Sequence, residues 1–288
     1  MPMRISAGFS TRSFLASAAA AVVAIAAVAA PRPVWADGLL PHRAVYDISL
    51  KRAEAGASMV SVKGRLVVEI SGGECEGYVV NSRFVTRVID REGGQRTTDL
   101  RSSTFETLDP ADFTFLNQTY VEDQLVSRVK GKAEAKADGV MVDITEPKET
   151  SISLGRAVFP SMHTRLILQA AKAGDRVLEA PVFDGGDSAD EIYDTTTLIG
   201  PQMTGLPNAS SMEKEALKVL AGAENADTWH LVISFFSTNG ITGESVPDYQ
   251  LTFTMLDNGV SYDVTFDHGT FALSGKLREL ELRTPPDC

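Results

Sequence analysis

The chain reads as mainly β: an antiparallel sheet rolled into a barrel-like shell, with one helix set against it. Three observations predict this. Apolar residues recur with period two along almost the whole length, one central segment switches to a helical period, and Asn258-Gly259 and His268-Gly269 punctuate runs of strand length.

Residues 1–36 stand apart. Arg4 and Arg12 precede an apolar run from Phe14 to Ala30, and Val34-Trp35-Ala36 supplies small residues at a cleavage site, the build of a cleaved secretory signal. The run is alanine-rich and barely long enough to cross a bilayer, which disfavours a retained anchor. The first cysteine is Cys75, so no lipidation site lies at the junction, and no transmembrane segment is expected after cleavage. The mature domain is expected to span 37–288, long enough for one large β domain or two smaller lobes.

Strand signals then follow in order. Ala44, Tyr46, Ile48 and Leu50 alternate with polar neighbours; Val60, Val62, Leu66, Val68 and Ile70 share a row; Tyr78, Val80, Phe84 and Val88 continue it. The middle carries Phe113 and Phe115, then Leu125 to Val129, then Val140, Val142 and Ile144. The helix is predicted from about Phe159 to Ala173, with Pro160 in its first turn, Met162, Leu166, Ala170 and Ala173 as its apolar stripe and Gly174 as its stop. It falls between two β halves, where it would cover an open end of the shell. A second short helix is expected around Glu213 to Leu220, inside a Pro-, Asn- and Ser-rich insertion whose span, 200–227, reads as the mobile loop. Trp229, Leu231, Ile233 and Phe235 form a further strand. Tyr249 to Met255 and Val260 to Phe266 make a hairpin about Asn258-Gly259, and Phe271 to Leu282 end the sheet with a phase slip that predicts a bulge near Gly275 to Arg278.

Charge and cysteine usage bound the function. Removing residues 1–36 takes away Arg4, Arg12 and Arg32 and no acid, so the net charge falls from −11 to −14. Such a chain disfavours nucleic acid and anionic lipid surfaces, because no run of Lys and Arg is present to neutralise phosphates. Cys75 and Cys288 are the two cysteines, and in an exported protein a lone pair reads as a structural bridge; a redox-active pair would want close spacing. If they pair, they close a loop of 214 residues, for which the chain-entropy model gives about 5 kcal/mol.

Candidate chemistry is sparse. Asp184, Asp187, Asp190, Glu191 and Asp194 make an oxygen-rich loop, but the spacing matches no calcium loop and a solvated hairpin is the reading. His42, His163, His230 and His268 share no spacing that would assemble zinc, and His163 reads as a buried or capping residue of the helix. Ser127 to Lys130 and Ser211 to Lys214 match S-x-x-K without the partner elements that acyl-enzyme chemistry needs. Asn117-Gln118-Thr119 and Asn208-Ala209-Ser210 match the glycosylation pattern, which matters in a eukaryotic secretory route alone. No catalytic, cofactor or metal residue is nominated.

A set of short runs nevertheless recurs in order: Pro41 to Leu50, Phe159-Pro160 with His163 and the Ala-rich helix, Phe183-Asp184-Gly185 with Tyr193-Asp194, Asp257-Asn258-Gly259-Val260, Phe266-Asp267-His268-Gly269, Phe271 to Leu277, and the final cysteine. In these the chain resembles the periplasmic cell-envelope integrity proteins of the EipB type, first catalogued as a domain of unknown function. The resemblance implies a many-stranded β-spiral with helices against it and a disulfide between the positions matched by Cys75 and Cys288. It also implies a non-enzymatic role in envelope integrity under stress, with ties to a periplasmic tetratricopeptide-repeat partner. A lipid or lipoprotein carrier is the leading alternative, since a concave apolar sheet face accepts an acyl tail or a strand. An envelope hydrolase using His163 or His42 is the third reading.

Overall fold

The computed structural model describes residues 38–286 except 110, 187 and 239–245. The expected signal at 1–36, Asp187 and Cys288 therefore lie outside the described residues. No helix among the described residues is long and apolar enough to cross a membrane.

Fifteen strands form a single antiparallel sheet. The first meander is β1 (His42–Ala53), β2 (Met59–Gly73), β3 (Gly77–Asp90), β4 (Gln95–Glu106), β5 (Asp112–Val121), β6 (Gln124–Ala135), β7 (Val140–Glu146) and β8 (Thr150–Leu154). After α1 (Pro160–Ala173), the second is β9 (Val177–Val182), β10 (Tyr193–Ile199), β11 (Met203–Thr204), β12 (Asp227–Ser237), β13 (Tyr249–Leu256), β14 (Ser261–Asp267) and β15 (Phe271–Leu282), with α2 (Ser211–Leu217) before β12. The first and last long strands lie side by side, β1 against β15, and fuse the two meanders into one sheet that runs from β8 at one edge to β9 at the other. The sheet curls until the chain leaving β8 reaches the opposite edge: Val158 N–H donates to Pro181 O and Phe183 N–H to Val158 O, both near 3 Å. This contact satisfies part of the β9 edge, which otherwise presents unpaired N–H and C=O groups.

Period-two burial explains which side faces in. Ala44, Tyr46 and Ile48 of β1, Leu231 and Ile233 of β12, and Leu273 and Leu277 of β15 bury into one apolar cluster with Ile167, Leu168 and Ala171 of α1 and Leu217 of α2. Phe113 and Phe115 of β5, Val129 and Ala133 of β6, and Val140 and Val142 of β7 build a second cluster around Phe159, Phe183 and Ile192. The expected bulge sits at Arg278, where pairing steps from Val45 with Glu279 to Tyr46 with Leu277.

Several expectations are corrected. Val60 does not join the row of Val62: it is the extra residue between Met59 and Ser61 and is 52% exposed. The buried stripe of α1 is Ser161, His163, Ile167, Leu168, Ala170 and Ala171, rotated from the expected one, and Gly174 (φ 86°) ends the helix with its N–H on the Ala170 and Ala171 carbonyls. The stretch 200–227, expected to be a mobile loop, is built into the core. Leu217, Leu220 and Ala223 are buried, and Glu213, fully enclosed, caps α2 through Ser210 while its other oxygen accepts from Asp263 N–H (2.8 Å) and Leu277 N–H (3.3 Å). Finally, strand pairing brings together basic residues that are separate along the chain, with Asp99 paired to Arg83 and Arg101 and Glu146 to Arg128. On the outer face, one cross-strand row reads Arg83, Arg101, Gln118, Arg128 and the next Asn81, Ser103, Leu116, Lys130.

Candidate binding cleft

Between the two apolar clusters the inner face of β3, β4 and β5 changes character. Val80, Ser82 and Phe84 pair with Thr104, Ser102 and Leu100, and these with Phe115, Asn117 and Thr119, so small hydroxyl and amide side chains replace core residues in the middle of the sheet. Volume is left over where they stand. The result is a cleft of about 410 Å³ floored by these residues and walled by Leu66, Pro160, Asp184 and Phe266. Phe84 and Phe266 stack at 5.6 Å between centroids, and Leu100, although on the inner face, is 40% exposed.

The loop after β9 borders one side. Phe183 is wholly buried in edge contacts with Phe113, Phe115 and Phe159, which anchors the loop, and Asn117 Nδ2 donates to Gly185 O at 2.6 Å. Gly185 adopts φ 69°, and a Cβ there would stand 2.7 Å from Phe115 Cγ, so the backbone approaches the floor at a position no side chain tolerates. Asp184 accepts from Gly186 N–H at 2.8 Å. Its charge, after burial, helps push the Tyr249 phenol up out of the titrating range. The Phe183-Asp184-Gly185 run thus has a structural explanation as anchor, turn and close approach.

The start of α1 forms the end of the cleft. Its own N-cap residue, Phe159, makes no side-chain capping bond, and the cap comes from β4: Glu106, 2% exposed, accepts from Ser161 N–H (2.6 Å) and Met162 N–H (2.8 Å). Burial pushes Glu106 up, and the two backbone hydrogen bonds pull it back only in part. Phe159, stacked on Phe113 at 5.1 Å, fixes where the helix begins.

The titratable candidates are dispersed. His163 Nε2 lies 3.1 Å from Thr195 Oγ1, whose hydroxyl donates to Ala180 O at 2.7 Å, so the ring supplies the hydrogen between them. Burial holds its pKa down at about 4, and the ring is neutral at neutral pH. His42 Nδ1 is 2.7 Å from Leu40 O, and His268 stacks on Phe271 at 4.8 Å. Ser127 and Lys130 sit on β6 three residues apart, which sends them to opposite faces; Ser211 and Lys214 are exposed on α2. In the acidic loop Asp184 holds Gly186, Asp190 accepts from Ser188 and Glu191 from Ser237, and no metal-binding cluster occurs among the described residues. Cys75 lies in the β2–β3 turn, beside Pro285 and Pro286 of the C-terminal tail, at a second hollow also lined by Leu39 and Tyr78.

Comparison with known proteins follows the same architecture. A family model described as EipB-like matches residues 35–284. The cell envelope integrity protein EipB of Brucella abortus is 34% identical over 244 residues, covering 85% of this chain and 84% of that protein. A crystal structure of a β-barrel-like protein of domain of unknown function DUF1849, also from Brucella abortus, superposes with a TM-score of 0.78 at 34% identity, covering 86% of this chain and all of that one.

Proposed function

The chain belongs to the EipB-like family, and from that membership and the cleft we propose that it supports cell-envelope integrity from the periplasm by holding an amphiphilic envelope component, without performing a reaction on it. The observation that carries this is the inner-face cleft itself. Leu66, Phe84, Leu100 and Phe266 supply an apolar wall for a tail, and Ser82, Ser102, Thr104, Asn117 and Thr119 supply hydrogen-bonding groups for a polar end. A core selected for stability alone would fill this space with apolar side chains. Native mass spectrometry of protein taken gently from the periplasm tests the reading. Wild type is expected to carry bound lipid or lipopeptide mass, and Ser102→Trp, which fills the floor, is expected to lose that mass and to leave a deletion strain sensitive to detergent. A clean wild-type mass together with full complementation by a folded Ser102→Trp variant overturns it.

The Cys75 to Cys288 bridge belongs to the same proposal. Support comes from the tail: Pro286, two residues before Cys288, packs so closely on the β2–β3 turn that a Cβ on Gly73 would lie 2.9 Å from its Cγ, and no described cysteine is a free thiol. A bridge here ties the last strand's exit to the third strand's entry and fixes the seam where the two meanders join. The tetratricopeptide-repeat partner enters as a proposal on family grounds, tested by cross-linking in the intact periplasm.

A further inference from the structure

The outer face of the same strands carries a second feature, a hollow that shares Ser82, Arg101, Ser102 and Gln118 with the lining of the cleft. Arg83 on β3 stands directly opposite Arg101 on β4, and Lys63 on β2 directly opposite Arg87 on β3. Like charges facing each other across a ladder destabilise it, and this chain has an excess of acid with which to avoid them, its net charge being −11. Instead a single carboxylate is placed beneath the first pair. Asp99, 7% exposed, accepts from Arg83 Nε and Nη2 at 3.0 and 2.8 Å and from Arg101 Nε and Nη2 at 3.1 and 2.7 Å. One buried anion between two guanidinium groups orients both and leaves one positive charge over. Arg101 is further fixed by lying 4.4 Å above the Tyr120 ring.

Around this pair the surface is concave. A hollow of about 240 Å³ is lined by Asn81, Arg83, Arg101, Ser103, Leu116 and Gln118. Ser103 Oγ donates to Asn81 Oδ1 at 2.7 Å, which turns the two Asn81 amide hydrogens outward, and Lys130 stands next along the row beyond Leu116. The two guanidinium groups and the Asn81 amide therefore border one hollow, where two arginines against one aspartate leave one positive charge over.

We propose that this hollow, on the opposite face of the sheet from the cleft, is a binding site for a phosphoryl group, presented either by a lipid headgroup or as free phosphate. The fork geometry of a guanidinium suits the oxygens of phosphate, and an immobilised pair loses little freedom on binding. The site does not depend on the cleft holding a ligand.

The test uses the full mature chain. Inorganic phosphate is titrated while the arginine Nε–H resonances are followed, and sedimentation is measured with phosphatidylcholine vesicles with and without phosphatidic acid. Wild type is expected to bind phosphate or the phosphatidic-acid vesicles in a salt-dependent manner. Arg101→Gln is expected to weaken binding about tenfold, the loss of one charge-assisted hydrogen bond of about 1.4 kcal/mol. Lys130→Gln, at an exposed position, is the second variant and is expected to weaken it less; Lys218→Gln, at the C-cap of α2, is the control and leaves it unchanged. Binding of free phosphate identifies the small ion as sufficient, and binding of vesicles alone identifies a headgroup. No binding of either probe, or an equal loss in all three variants, overturns the site.

Discussion

Glu213 offers the sharpest test of whether the 200–227 segment is part of the fold. Its carboxylate, with no solvent exposure, accepts from Ser210 N–H at 2.9 Å and Ser210 Oγ–H at 2.7 Å on one oxygen, and from Asp263 and Leu277 N–H on the other, with Lys276 Nζ 3.8 Å away. Glu213→Ala removes the cap, worth about 1 kcal/mol, and strands the backbone N–H groups of β14 and β15, each costing about 1–3 kcal/mol when buried without a partner. Relief from burying a charge returns part of this, and the expected net loss is about 3–5 kcal/mol. At the slope typical of a domain this size, the melting midpoint falls by roughly 10 °C. Urea unfolding followed by circular dichroism measures it, with hydrogen exchange at Asp263 as a local readout. Glu213→Gln keeps an acceptor for Asp263 and is expected to lose about half as much. An alanine variant within about 1 kcal/mol of wild type would refute the argument, because the segment would then be an appendage and not a part of the core tied through α2 to β14 and β15.

Three further outcomes are expected. His163 has a folded pKa of about 4 against 6.5 for the free ring, so the unfolded chain takes up a proton first. The stability it contributes is intact above about pH 6.5 and lost as pH falls toward 4, about 3 kcal/mol in all; His163→Gln flattens that part of a pH series of urea midpoints, and an unchanged slope contradicts the assignment. Gly185→Ala strains a left-handed residue against the Phe115 ring and is expected to cost about 2 kcal/mol, with a smaller retained ligand mass; wild-type values for both would show that the loop does not need the close approach. Cys75→Ser lowers the unfolding midpoint under oxidising conditions by several degrees and leaves it unchanged when both proteins are measured in reductant; equal midpoints in both conditions would remove the bridge from the account.

Read from residues alone, the chain already declared a β shell with a central helix, the hairpin at Asn258-Gly259 and a bulge near Gly275 to Arg278, because period two and turn chemistry are local properties that need no knowledge of neighbours. The EipB-type motifs supplied the family for the same reason: each is a short run of consecutive residues, such as the helix start at Phe159-Pro160 and the turn at Asn258-Gly259. What stayed hidden was everything made by contacts between strands and helices. Glu106 caps a helix 55 residues away, and Glu213 serves N–H groups 50 and 64 residues ahead. Serines and threonines on β3, β4 and β5 looked like ordinary alternation until pairing gathered them into one floor. The arginines of the outer rows are likewise spaced along three strands with polar residues between them, and only register places Arg83 beside Arg101 over Asp99. Local patterning fixes which face of a strand is apolar; the cleft and the cationic hollow depend on the register in which β3, β4 and β5 pair, because register decides which side chains stand side by side.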